Sequence, residues 1–390
     1  MDFEPEESQK MIAQTIRSFV HKELIPMEAE FPNDDGLSPE AMYRMQQRVK
    51  ALGFWAIDVP VEHGGGGQNN VGTTLVNIEI LQCLFPFYQP QRVFGIGGTG
   101  VSGIGHPLWN ASEEQKQKYL YPMLRGEMES CLALTEPDHG SDASRLETRA
   151  VRDGDNYIIN GRKTFISFAE RSDICMVIAQ TDPSKGAKGM DAIIVEKGTP
   201  GYTIVREIPT LGTFAPCELL FDDVVVPVTN RIGEAGKGLE IALKWIDSER
   251  LLAGAYCVGR GLRLLEMMLD YAERRVTFGE PLINRQAVQF MLADSAMEIH
   301  TIRWATMYTA WKTDRGLDTR TEENLVKAMA GEAVNRIADR AIQVHGGYGV
   351  TKDLPLERIY REARVFRIWD GASEIQRIQM VKGLRKGWRP

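Results

Sequence analysis

The spacing of apolar residues changes period twice along this 390-residue chain, and that double switch limits the possible folds more than any single motif. From Phe3 to about Gly126 apolar side chains recur three and four positions apart, as in Ile12, Ile16, Phe19 and Val20 and again in Met42, Met45, Val49 and Leu52. That spacing puts them on one face of a helix. Pro26, the stretch from Pro32 to Gly36 and the run His63-Gly64-Gly65-Gly66-Gly67 interrupt those helices. Between Leu132 and about Asn230 short β-branched runs take over, including Tyr157-Ile158-Ile159, Ala192-Ile193-Ile194-Val195 and Val224-Val225-Val226. Asn160-Gly161, between two apolar runs, predicts a hairpin turn. The helical period returns from about Gly238, in Leu239, Ala242, Leu243 and Ile246, and later from Arg320 to Val344. Helices, then strands, then helices again predict an α+β protein with segregated elements. We place its units at residues 1–128, 129–235 and 236–390, since one hydrophobic core rarely grows past about 250 to 300 residues.

Composition narrows the function. A hydrophobic share of 43% and a charged share of 25% belong to an ordinary globular protein. The net charge of -7 offers no basic stripe for a phosphate backbone, so nucleic acid is not an expected partner. No apolar run approaches the roughly 18 residues of a membrane span. The five cysteines, Cys83, Cys131, Cys175, Cys217 and Cys257, are scattered and form no CxxC pair, which disfavours a disulfide framework and a zinc site. The acidic start MDFEPEESQK is neither a signal nor a transit peptide, and a cytoplasmic protein is expected.

Short patterns carry little. Gly95, Gly97 and Gly100 satisfy GxGxxG, but Gln89-Pro90-Gln91-Arg92 before them is no buried strand, so close helix packing is the expected role. Gly233-Glu234-Ala235-Gly236-Lys237-Gly238 lacks the hydroxyl residue of a phosphate loop and reads as a turn into the helix near Leu239. The histidines show no HExxH spacing, and Ser141 sits in no GxSxG elbow.

Longer segments are more specific. Cys131-Leu132-Ala133-Leu134-Thr135-Glu136-Pro137-Asp138-His139-Gly140-Ser141-Asp142, followed by the stretch Tyr157 to Ser167, resembles the flavin-binding β domain of acyl-CoA dehydrogenases. Arg274 to Gly279, Gln343 to Gly349 and Trp369-Asp370-Gly371-Ala372-Ser373-Glu374-Ile375-Gln376-Arg377 resemble that family's C-terminal signatures, in the same order. Pro60 to Gly65 and Glu113 to Lys116 fit its N-terminal helical domain, so the resemblance covers nearly the whole chain.

The resemblance implies an N-terminal helical domain, a central β domain and a C-terminal four-helix bundle, with FAD between the last two and a homotetramer as the usual assembly. It implies that Leu132, Leu134 and Thr135 line the isoalloxazine, with Phe165 and Ser167 on the opposite wall. Arg275, Phe278 and Gln286 match positions that reach the FAD of a neighbouring subunit, a role for which a planar guanidinium suits a diphosphate. Gln343, Gly346 and Gly347 match the dinucleotide-contacting loop, and Glu374 completes the cofactor set. Ser141 is implied to sit near the acyl-CoA or the flavin phosphates, and Arg250, Trp369 and Gly371 to face the acyl-CoA, Arg250 serving either the ligand's phosphates or a structural carboxylate. The implied activity is FAD-dependent α,β-dehydrogenation of an acyl-CoA thioester, with electrons passed to an electron-transfer flavoprotein. An O2-using oxidase or monooxygenase and a catalytically silent partner subunit are the alternatives.

Three positions depart from the family pattern: Phe165 stands for the usual Trp, Ala372 for a Thr, and Asp370 for the usual catalytic Glu. A second carboxylate, Glu249, stands where one branch of the family carries its base, so the sequence offers two candidates for one role. Acyl chain length and branching are not legible.

Overall fold

The computed structural model describes residues 4–32, 34–96 and 106–389. The chain opens with helices whose ends are written into the sequence. Helix α1 (Glu7–Phe19) starts at a capping box between Glu6 and Gln9 and turns Ala13, Ile16 and Phe19 inward. Helix α2 (Pro39–Ala51) is capped by Ser38, whose hydroxyl accepts from the Ala41 amide at 3.2 Å. Helix α3 (Asn70–Ile80) is capped by Asn69, which accepts from the Gly72 amide at 3.0 Å. Three short helices, α4 (Gln89–Val93), α5 (Glu113–Gln115) and α6 (Tyr121–Leu124), follow.

Eight strands then form one sheet: β1 (Ser130–Ala133), β2 (Arg149–Asp153), β3 (Asn156–Ile166), β4 (Ile174–Gln180), β5 (Met190–Glu196), β6 (Tyr202–Glu207), β7 (Cys217–Pro227) and β8 (Arg231–Ile232). They run in the order β6-β7-β3-β2-β4-β5-β8, with β1 parallel to β4 off that path. Continuous burial of Ile174 to Ala179 and of Met190 to Val195 explains their unbroken apolar runs, because both faces of these strands are covered. The expected hairpin at Asn160-Gly161 is not there. Both residues lie inside β3, and the turn falls at Gly154-Asp155, where Asp153 pairs with Asn156 and Gly154 takes a left-handed φ of 57°. Gly161 instead passes tightly over Thr148, whose Oγ1 would stand 2.4 Å from an added Cβ, and Asn160 pairs its side chain with Asp223 across to β7.

The C-terminal part is helical: α7 (Gly238–Arg274), α8 (Gln286–Asp314), α9 (Arg320–His345), α10 (Leu356–Val365) and α11 (Ser373–Arg385). Helix α7 packs on α8, α9 and α3. Glycines let it approach: at Gly259 a Cβ would come within 2.6 Å of the Ile78 carbonyl, and at Gly254 within 2.3 Å of Thr306 Oγ1. The Gly233–Gly238 stretch is the expected turn into α7. Gly95, with φ of 66°, closes the turn after α4 against the Trp55 ring rather than joining two helices, while Gly97 and Gly100 lie outside the described residues. All five cysteines are buried free thiols, and among the described residues no helix is long and apolar enough to cross a membrane.

Candidate active site

Between α10 and α11 the chain makes a tight turn at Asp370-Gly371, and both residues are left-handed, with φ of 49° and 93°. A left-handed Asp is strained, and it persists only where its surroundings hold it. Here they do. Arg250 Nε donates to the Asp370 carbonyl at 3.2 Å, and Gln376 Nε2 donates to the carbonyls of Asp370 and Gly371, at 2.9 Å each. From α9 the fully buried Lys327 donates to the Gly371 carbonyl at 2.6 Å. Arg250 also pairs with Asp247 one turn earlier on α7. Of the two roles left open for Arg250, the structure thus shows a structural carboxylate partner. Burial pushes the Asp370 carboxyl up to about 6, and only the nearby Lys327 and Arg250 cations restrain it.

Glu249 projects from α7 into the same region and is buried. Its partner is neither Arg250 nor a lysine. The Tyr88 hydroxyl, from the residue preceding α4, donates to Glu249 Oε2 at 3.1 Å. Burial, then the charge of Asp370, pushes Glu249 up to about 8, with the Tyr88 hydrogen bond opposing. Asp370 therefore ionises first, and near neutrality Glu249 is chiefly the protonated partner. A cavity of ≈ 530 Å³ opens beside Glu249, with Thr73, Asn77, Leu252, Ala255 and Glu323 in its wall.

Aromatic rings enclose this pair. Tyr88 meets Phe168 at 5.5 Å and Trp369 at 5.9 Å between centroids, and Phe87 meets Trp369 at 5.0 Å. Phe168 follows Ser167 just past the end of β3, so this strand end meets the site through Tyr88, whose hydroxyl binds Glu249. Across that strand end the Thr164 amide donates to the Thr135 carbonyl at 2.9 Å, which sets Leu132, Leu134 and Thr135 beside Phe165 and Ser167. Lys163, fully buried, clamps the same junction by donating to the Leu134 carbonyl and to Glu136 Oε1, both at 2.9 Å.

The remaining predicted residues gather at the far end of the bundle. Arg275 closes α7 and leads into a small hairpin, Val276–Thr277 against Glu280–Pro281, with Phe278 and Gly279 left-handed at its tip. Arg275, Phe278 and Gln286 are exposed, as are Gln343, Gly346 and Gly347 at the end of α9, and a tilted ring contact of Tyr271 with His345 at 4.5 Å joins the two groups. Ser141 and Glu374 are exposed as well, on the loop after β1 and on the first turn of α11.

Comparison with known proteins decides the family. The described N-terminal, middle and C-terminal domains of acyl-CoA dehydrogenases match residues 6–127, 131–224 and 236–385. The chain belongs to the acyl-CoA dehydrogenase family. It is 33% identical over 390 residues to acryloyl-CoA reductase (NADH) of Anaerotignum propionicum, covering 99% of this chain and 96% of that one. It is 36% identical over 396 residues to (R)-benzylsuccinyl-CoA dehydrogenase of Thauera aromatica, covering 98% and 97%. The structure of butyryl-CoA dehydrogenase from Megasphaera elsdenii superposes with a TM-score of 0.87 at 30% identity, covering 99% of this chain and 100% of that one.

Acyl-CoA dehydrogenases are FAD-dependent oxidoreductases, and so is this member. Its residues suit the cofactor. Phe165, left-handed and 59% exposed, presents a bare ring beside the hydroxyls of Thr135 and Ser167, the mixture of flat apolar wall and polar rim that a flavin ring requires. Three buried polar atoms near Asp370, Trp369 Nε1, Ser373 Oγ and Gln376 Oε1, have no partner among the described residues, as expected where a ligand completes the hydrogen bonding. Sequence reasoning missed Tyr88, Lys327 and Gln376. A lysine amid the apolar run Val326 to Ala330 of α9 was a readable signal, but Tyr88 reads as one more core aromatic after Phe85 and Phe87.

Proposed function

We propose that this enzyme dehydrogenates the α,β bond of an acyl-CoA thioester to the trans-2-enoyl-CoA, that Asp370 is the base, and that an electron-transfer flavoprotein takes up the electrons. The observation that carries this reading is the pair of enclosed carboxylates with separated proton affinities. Asp370, gripped through its backbone and flanked by two cations, is ionised near neutrality and can accept the α-proton. Glu249, held by Tyr88, stays protonated and adds no second charge to a dry pocket. Trp369, Phe87, Phe168 and Tyr88 exclude water, which strengthens every electrostatic interaction on the reacting thioester. FAD supplies, when bound, the two-electron acceptor for the hydride released from the β-carbon. Leu132, Leu134, Thr135, Phe165 and Ser167 would hold its ring, and Gln343, Gly346, Gly347 and Glu374 its remaining contacts, with Arg275, Phe278 and Gln286 extended toward the cofactor of a neighbouring subunit in a homotetramer. Arg250, Trp369 and Gly371 would lie beside the bound acyl-CoA, and Ser141 near it or the flavin phosphates.

The test is an anaerobic titration of the flavin-loaded protein with a panel of acyl-CoA thioesters. Bleaching of the flavin band near ~450 nm is expected with at least one. No bleaching with any thioester, saturated or branched, would refute the activity.

A further inference from the structure

Lys327 reaches the Asp370-Gly371 turn from α9. It lies on α9, 1% exposed, with Nζ 2.6 Å from the Gly371 carbonyl. The groups facing it are Asp370 and Arg250, then Glu374 and Glu332. Gln376 also donates to the two carbonyls of the turn, at 2.9 Å each. Asp370 is one methylene shorter than Glu, so its carboxylate reaches only where the backbone carries it, and a small swing of a left-handed turn moves it off target.

We propose that Lys327 is a positioning residue: by binding the Gly371 carbonyl it fixes the strained turn that aims Asp370, and its charge keeps the carboxylate ionised in a closed pocket. This rests on the reading of Asp370 as the base. Burial lowers Lys327 to about 8, with Asp370 as the largest opposing influence, so the cation persists near neutrality on its neighbour's account.

Three variants of the flavin-loaded enzyme test the assignment by stopped-flow flavin reduction, using the best thioester of the panel. Lys327→Met removes hydrogen bond and charge; flavin reduction should slow about a hundredfold with KM little changed, and the acidic limb of its pH profile should move to higher pH. Lys327→Gln keeps a donor for the carbonyl without the charge; it should recover part of the rate while the limb stays displaced. Lys327→Arg should return the limb toward its original place, and it serves alone if the neutral variants fail to fold. A merely structural lysine would lower flavin content and melting temperature without moving the limb, and that result overturns the proposal. Asp370→Asn is run alongside. If Asp370→Asn remains active, the reading of the base has failed; if it is inactive while Lys327→Met keeps the parent rate and limb, only the role of Lys327 has failed.

Discussion

At Asp370 and Glu249 one physical effect, loss of water, acts on two carboxylates in different company. Asp370 has cations beside it, whereas Glu249 has a neutral phenol and a negative neighbour. The difference supports Asp370 in a contest that the sequence left nearly even, since identity alone cannot tell which carboxylate stands next to a lysine 43 positions away in the chain. Asp370→Asn should slow flavin reduction by roughly a thousandfold, while Glu249→Gln stays within about tenfold of the parent; single-turnover rates decide, and the reverse order would move the base to Glu249. The pH dependence has a definite sign. Rate should rise as pH passes about 6, where Asp370 loses its proton, and decline past about 8, where Glu249 ionises and opposes the charge growing on the thioester. In Glu249→Gln the acidic limb should remain and the alkaline limb disappear. An alkaline limb that survives belongs to another group, with Lys327 next in line.

Among the elements, the junction of β1 and β3 depends on a buried ion pair, Lys163 with Glu136 at 2.9 Å, both under 5% exposed. Glu136 also accepts from the Glu147 and Thr148 amides, at 2.6 and 2.9 Å, so one carboxylate organises three segments. Lys163→Met leaves that carboxylate buried without its cation and should destabilise the protein by about 3 kcal/mol. Denaturant unfolding would show it, together with partial recovery in the double variant Lys163→Met with Glu136→Gln; an unchanged midpoint would deny the pair its structural role. The elements themselves were legible wherever one period persisted, as in Ile12, Ile16 and Phe19 or in the unbroken run at Ala192. The misplaced turn shows the limit of that reading. Asn160-Gly161 has turn chemistry, but Tyr157 and Ile159 share a buried face that continues through it, and pairing with β7 outweighs local preference. The segment contributed by Tyr88 was not legible, because its partner lies 161 residues away and no local pattern announces it.

On the scale of the whole molecule, the proposed cofactor residues divide between the junction of β1 and β3 and an open end of the helical part. The open end, with Arg275, Phe278, Gln286, Gln343, Gly346 and Gly347 all uncovered, fits the reading that two chains share each cofactor. Arg275→Ala should then lower flavin content and tetramer content together, as gel filtration and absorbance would report; loss of flavin from an intact tetramer would refute a shared site. Flavin removal should also lower the melting temperature, because a ligand at a hundred times its Kd stabilises by about 2.7 kcal/mol. A melting curve indifferent to added FAD would speak against binding to the folded chain.

Phe278 gives this open end a further meaning. It stands 99% exposed on a left-handed tip, a ring that its own chain does not cover. Covering such a ring is worth roughly 2 kcal/mol, so on the proposed assembly the abundance of the protein becomes a control on its own activity. Scarce chains would stay apart with half-built sites, and specific activity would fall on dilution, whereas crowded chains would complete one another. Two inactive variants, one lacking Asp370 and the other lacking Arg275, could by the same logic each supply what the other has lost, so that a mixture works where neither parent does.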